Sequence, residues 1–113
     1  MILSWHDFKK TPSLKELRIL LEEMKKRGAD IAKIVSFARS LEDNLKLLSL
    51  IPYGRERSLE TIAFCMGDMG KMSRIFSLLF GAPWTYASMD KSHLSAPGQL
   101  TVKEIKDLWR HLR

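Results

Sequence analysis

The alternation of strand and helix signals along the chain predicts an α/β fold built on a parallel sheet. Three observations carry that prediction. Four short apolar segments are each followed by a segment with apolar residues at helical spacing. The strand segments are apolar without strict alternation, as expected of strands covered on both faces. Glycine or proline punctuates the end of each of the first three helical segments.

The first strand is predicted over Met1-Ile2-Leu3-Ser4-Trp5, and Lys9-Lys10-Thr11-Pro12 breaks it. Ser13, with Glu16 three residues on, reads as the capping box of the first helix. Leu14, Leu17, Leu20, Leu21 and Met24 form its apolar stripe, Lys25, Lys26 and Arg27 suit the negative end of its dipole, and Gly28 can take the left-handed cap. Ile31-Ala32-Lys33-Ile34-Val35 is the second strand by its β-branched content. Ser40 caps the second helix, Leu41, Leu45 and Leu48 lie in phase, and Pro52 with Gly54 is expected to stop it. The third strand runs from Thr61 to Met66, flanked by Gly67 and Gly70, and Met72, Ile75, Phe76 and Leu79 stripe the third helix. Trp84 to Ser88 is the fourth strand. A polar loop from Met89 to Gln99 follows, and Thr101 with Glu104 caps a last helix bearing Val102, Ile105, Leu108 and Leu112.

Strands joined by helices imply right-handed crossovers. Two architectures fit: a small doubly wound sheet, or half of an eight-stranded βα barrel. A half barrel leaves two strand edges and an inner face to be covered. The chain also opens inside a strand segment with no polar lead-in, which suggests a piece of a larger domain.

Composition narrows the function classes. With 113 residues, 45% hydrophobic and 28% charged, the chain is one globular domain rather than a disordered or fibrous segment. No apolar run approaches the ~20 residues of a membrane span, and no secretory leader is expected. The single cysteine, Cys65, excludes an internal disulfide and fits a reducing compartment such as the cytoplasm. The net charge of +6 permits an acidic partner, but basic residues are interspersed with acidic ones, as on solvated helix faces. A nucleic-acid partner is therefore not expected.

In parallel α/β folds the active site lies at the C-terminal ends of the strands. His6-Asp7-Phe8 ends the first strand there, Met66 ends the third, and Ser95-Ala96-Pro97-Gly98-Gln99 follows the fourth. Lys33 interrupts an apolar strand. Pointing into a barrel interior it would be desolvated, which lowers its pKa and makes a neutral amine available to attack a ketone. Otherwise it is an edge or snorkelling lysine with its head in water. His6 is a candidate general base, or a strand-end histidine bonded to a carbonyl. Asp7 reads as a turn residue, and His93 and His111 as loop and surface residues. No Cys/His spacing matches a zinc site. Arg74, in the first turns of the third helix, could grip a carboxylate or phosphate by two parallel hydrogen bonds, or be a solvated helix arginine. Gly67 and Gly70 lack the Lys-Ser/Thr signature of a phosphate loop. Ser95 to Gln99 could form a lid hinged at Gly98, or an ordinary surface loop.

Ser4-Trp5-His6-Asp7-Phe8, Ala29-Asp30-Ile31-Ala32-Lys33-Ile34, Met66-Gly67 with Met72-Ser73-Arg74, and Ser95-Ala96-Pro97-Gly98-Gln99 occur in that order. Together they resemble the type I 3-dehydroquinate dehydratases of the shikimate pathway along essentially the whole chain. The 27-residue step from His6 to Lys33 and the 8-residue step from Met66 to Arg74 both fit. The resemblance implies a TIM-type (β/α)8 barrel of which residues 1–113 are a single C-terminal half-barrel domain, strands five to eight. It implies that Lys33 is the Schiff-base lysine and His6 the general base and acid. Arg74 would bind the substrate carboxylate, Ser95 and Gln99 would close over the substrate, and Met66 and Tyr86 would line the pocket. It implies the dehydration of 3-dehydroquinate to 3-dehydroshikimate with no metal or organic cofactor.

Phe64 departs from the methionine common in the family, and Ser88 to Leu94 is slightly longer than usual. The family's N-terminal half supplies an acidic residue that orients the histidine, and further substrate contacts. This half alone is therefore expected to be weak or inactive without a complementary N-terminal half. A non-catalytic half barrel that oligomerises as a scaffold or regulator is the alternative.

Overall fold

The computed structural model describes residues 1–83, 87–88, 100–101, 103, 104, 107 and 110. Strand β1 (Ile2–His6), helix α1 (Leu14–Lys26), strand β2 (Ile31–Phe37), helix α2 (Leu41–Arg55) and strand β3 (Glu60–Met66) follow in order. A 3-10 turn (Asp68–Gly70), helix α3 (Lys71–Leu79) and two short strands, β4 (Ala87–Ser88) and β5 (Leu100–Thr101), complete the described elements. Residues 103, 104, 107 and 110 have helical backbone, within the predicted last helix.

β1, β2 and β3 form a parallel sheet in that order. Its register places Ser4, Lys33 and Ile62 in one row and His6, Val35 and Phe64 in the row two residues on. Because side chains alternate across a strand, both rows point to the same face. On the opposite face Leu3, Trp5, Ala32, Ile34, Ala63 and Cys65 pack against Leu17, Leu21 and Met24 of α1, Leu47, Leu50 and Ile51 of α2, and Phe76 of α3.

All three helices thus cover one face. A doubly wound sheet places helices on both, so that architecture is excluded for β1 to β3, and the arrangement is that of a barrel segment. The other face carries its own buried apolar cluster, Val35, Ile62, Phe64 and Met66, with Ile31 and Phe37 against it.

Local chemistry explains the boundaries. Ser13 Oγ accepts from the Glu16 N–H at 3.2 Å and starts α1. Gly28, at φ +87°, follows its C-terminus, and its N–H donates to Lys25 C=O at 2.9 Å. The Asp43 carboxylate accepts from the N–H groups of Arg39 and Ser40 at 2.9 and 3.4 Å and seats the start of α2. Contrary to expectation, α2 does not stop at Pro52 but runs to Arg55. A proline in the last turn removes few helical bonds, and the turn closes through Glu56 N–H to Pro52 C=O and Leu59 N–H to Gly54 C=O. Gly54 is required because a Cβ there would lie 2.1 Å from Thr61 Oγ1.

The fourth strand is in place where it is described. Of Trp84 to Ser88 the described residues are Ala87 and Ser88, which pair in parallel with Leu100 and Thr101. Thr101, expected as a helix cap, is a strand residue at that point. Among the described residues no helix is long and apolar enough to cross a membrane.

Candidate active site

The site is assembled on the sheet face opposite the helices, at the C-terminal ends of the strands. Lys33 and His6 share this face on neighbouring strands, one row apart. Lys33 is half-buried and His6 exposed. Partial burial of the imidazole, and then the Lys33 charge, hold the His6 pKa below its ordinary value of 6.5. The imidazole lies flat on the Phe8 ring, with centroids 5.8 Å apart and planes 7° from parallel. Asp7 takes no part in this pair. Its Oδ1 accepts from Lys9 and Lys10 N–H at 2.9 and 3.1 Å, the turn role expected of it, and the Lys9 bond chiefly holds its carboxyl below the usual range.

Arg74 reaches the same region from the next element. After Met66, Gly67 turns the chain at φ +89°, where a Cβ would also meet Phe37 Cζ at 2.9 Å. The 3-10 turn then folds α3 back onto β3. Gly70 sits so close that a Cβ would lie 2.4 Å from Cys65 O. Ser73 Oγ accepts from Cys65 N–H at 2.8 Å and donates to Gly70 C=O at 2.7 Å, pinning the first turn of α3 to β3. Asn44 Nδ2 donates to Met69 C=O at 2.7 Å and ties the 3-10 turn to α2.

Arg74 is consequently buried, 2% exposed, with its guanidinium carbon 4.3 Å from the centre of the Phe64 ring. The solvated-arginine alternative is therefore overturned. Burial pulls its pKa down to about 10, so the group remains a cation at neutral pH. Phe64 belongs to the His6 row and Met66 lies beyond it on the same face, both buried.

The structure thus places Lys33, His6 and Met66 on one sheet face, with Lys33 deeper along its strand, and brings Arg74 against Phe64 of that face. Tyr86, Ser95 and Gln99 lie outside the described residues, as do His93 and His111. The contacts of Phe8 with His6 and of Phe64 with Arg74, and the anchoring roles of Ser73 and Asn44, were not read from the sequence, although Phe8, Phe64 and Ser73 themselves were noted there. Each depends on a register or a turn that local sequence does not specify. The arrangement presents an amine and an imidazole side by side, with a cation set to one side. That is a layout for covalent catalysis on a small carbonyl compound carrying an anionic group. Cys65 plays no such part: its thiol is buried and its pKa raised by desolvation. Among the described residues no group of three or more His, Cys, Asp or Glu is placed to hold a metal.

Comparison with known proteins gives a consistent result. The model of the type I 3-dehydroquinase family matches residues 1–113. The 3-dehydroquinate dehydratase of Syntrophobacter fumaroxidans is 45% identical over 109 residues, 96% of this chain and 47% of that protein. That of Pyrococcus abyssi is 46% identical over 106 residues, 94% of this chain and 46% of the relative. The crystal structure of 3-dehydroquinate dehydratase from Geobacillus kaustophilus superposes with a TM-score of 0.88 at 31% identity, covering 98% of this chain and 43% of that one. The type I enzyme from Clostridium difficile, solved with covalently modified comenic acid, gives 0.83 at 33% identity, covering 98% and 44%. The chain spans about half the length of the curated relatives it matches.

Proposed function

The chain belongs to the type I 3-dehydroquinase family, and on that footing we propose that it dehydrates 3-dehydroquinate to 3-dehydroshikimate through a Schiff base on Lys33. The observation that carries the reading is Lys33 and His6 on one sheet face, one row apart, with Arg74 brought against Phe64 of that face.

The Lys33 amine adds to the substrate ketone, and the carbinolamine loses water to give a protonated imine. The imine withdraws electrons, so the neighbouring C–H becomes acidic. His6 Nε2 or Nδ1 takes that proton and an enamine forms. The enamine expels the hydroxyl one carbon further on, and His6 returns its proton to the leaving oxygen as water. Hydrolysis of the imine consumes the water released at the first step and frees Lys33 with the product. One net water is lost over the cycle. Arg74 holds the substrate carboxylate, with Met66 and Tyr86 lining the pocket and Ser95 and Gln99 closing over it.

We further propose that the chain is the C-terminal half of the barrel, strands five to eight, and needs a complementary N-terminal half for full activity. The order of the four motifs supports this assignment. The location we propose is the cytoplasm, consistent with a reduced Cys65. The non-catalytic alternative, an oligomerising scaffold, is favoured by one feature: β1 is an edge strand of the described sheet and leaves Ile2 48% exposed.

The two readings separate on turnover. Mixed with the N-terminal half of the Syntrophobacter fumaroxidans relative, the chain is expected to produce the conjugated enone of 3-dehydroshikimate. The Lys33→Ala chain in the same mixture is expected to stay at background. Equal turnover by both would contradict the proposal, and no turnover by either, with an oligomeric chain, would favour the scaffold.

A further inference from the structure

We propose that Phe64 is a positioning residue for the substrate carboxylate, acting through Arg74; the inference rests on the reading that Arg74 binds that group. A guanidinium is planar, and its N–H donors radiate in the plane. An aromatic ring over the guanidinium carbon occupies one approach to the group and leaves its other approaches to a carboxylate. Here the Arg74 carbon lies 4.3 Å from the Phe64 ring centre, well inside the ~6 Å limit for attraction between a cation and an aromatic face.

Both partners are buried, 2% exposed each, where such an attraction is stronger than at a surface. Their backbones are held by contacts other than the ring pair itself, both through β3. Phe64 is registered opposite Val35, in the His6 row. Arg74 is set by the Ser73 hydroxyl bridging Cys65 N–H and Gly70 C=O, and by the close seat of Gly70 on Cys65. A long, flexible side chain anchored only at its Cα would sweep many rotamers. The ring removes most of them, so less rotamer entropy is lost when a carboxylate binds.

The test uses quinate, a cyclohexane carboxylate without the ketone, and its neutral carboxamide. Neither can form an imine, so the readout is independent of Lys33. Binding is measured by calorimetry on the chain with the N-terminal half supplied, for wild type and for Phe64→Leu. The variant is expected to bind quinate about 5- to 30-fold more weakly, with carboxamide affinity unchanged. Phe64→Tyr, which keeps the ring, is expected to retain most of the preference for the carboxylate.

Equal weakening for both ligands would make Phe64 a packing residue and overturn the proposal, as would unchanged quinate binding. A wild-type protein that traps 3-dehydroquinate on Lys33 but shows no preference for the carboxylate would overturn this inference alone. A ring-dependent carboxylate preference without trapping would support it while contradicting the Schiff-base reading.

Discussion

Replacing His6 with alanine is expected to lower turnover of 3-dehydroquinate by about 10²–10⁴-fold, the range for loss of a positioned general base. Imine formation by Lys33 should survive the change, because the amine attacks without His6. The covalent species should then accumulate rather than disappear, which separates a lost base from a collapsed site. The wild-type pH dependence follows from the same geometry. His6 must be unprotonated to take the proton. Its pKa lies below 6.5 because partial burial and the Lys33 charge disfavour the imidazolium. The acidic limb of activity should therefore fall below 6.5, with the rate declining as pH drops through the His6 pKa. Removing the neighbouring charge in Lys33→Gln should raise the His6 titration, read from its ring proton resonance, while burial still holds it below 6.5. A His6→Ala enzyme within threefold of wild type would remove His6 from the mechanism.

Gly70→Ala is expected to destabilise the chain by about 3 kcal/mol, at the upper end of the usual cost of overpacking. Its Cβ would stand 2.4 Å from Cys65 O, 2.6 Å from Cys65 C and 2.9 Å from Cys65 Cβ. Two of those are backbone atoms of β3, registered opposite Ser36, so neither side can yield by a rotamer change. The relief would have to come from lifting the 3-10 turn off β3. That would break the Ser73 bridge and carry Arg74 away from Phe64. Urea unfolding should show a lower midpoint with little change in slope. A loss under 0.5 kcal/mol would mean that this seat is looser than the distances indicate. Gly28→Ala makes a control of another kind: the nearest atom to its Cβ is Met1 Cε at 3.8 Å, so only the φ of +87° opposes it. It should cost about 1–2 kcal/mol.

Much of this was legible in the chain itself. The strand segments β1 to β3 and the helices between them fall where apolar runs, caps and breakers place them, because those signals are local. The distinction between a doubly wound sheet and a barrel segment was not legible in the strand patterns and came only from the family resemblance. Ala32, Ile34, Ala63 and Cys65 face the helices, and Val35, Ile62, Phe64 and Met66 face away, yet all are apolar. A strand buried on both faces carries no period from which to read what covers each. Pro52 misled because a breaker near a helix end looks the same whether the helix stops before it or one turn after.

Within the site, the residue types at His6, Lys33 and Arg74 were recognisable from their motifs. That Lys33 and His6 share a face follows from the parallel register, which pairs Ser4 with Lys33 and His6 with Val35. Arginine on a striped helix usually faces water. Arg74 does not, because Gly67, Gly70 and Ser73 fold the start of α3 against β3. Those are tertiary contacts between residues whose individual signals are weak.

A covalent role for Lys33 can be read out by borohydride trapping. The chain, with an N-terminal half supplied, is incubated with 3-dehydroquinate and borohydride, and the adduct is located by intact-mass and peptide mass spectrometry. One reduced adduct per chain is expected, on the peptide carrying Lys33, and none in Lys33→Ala. A folded sample that gives no adduct, or an adduct on any other lysine, would contradict that role.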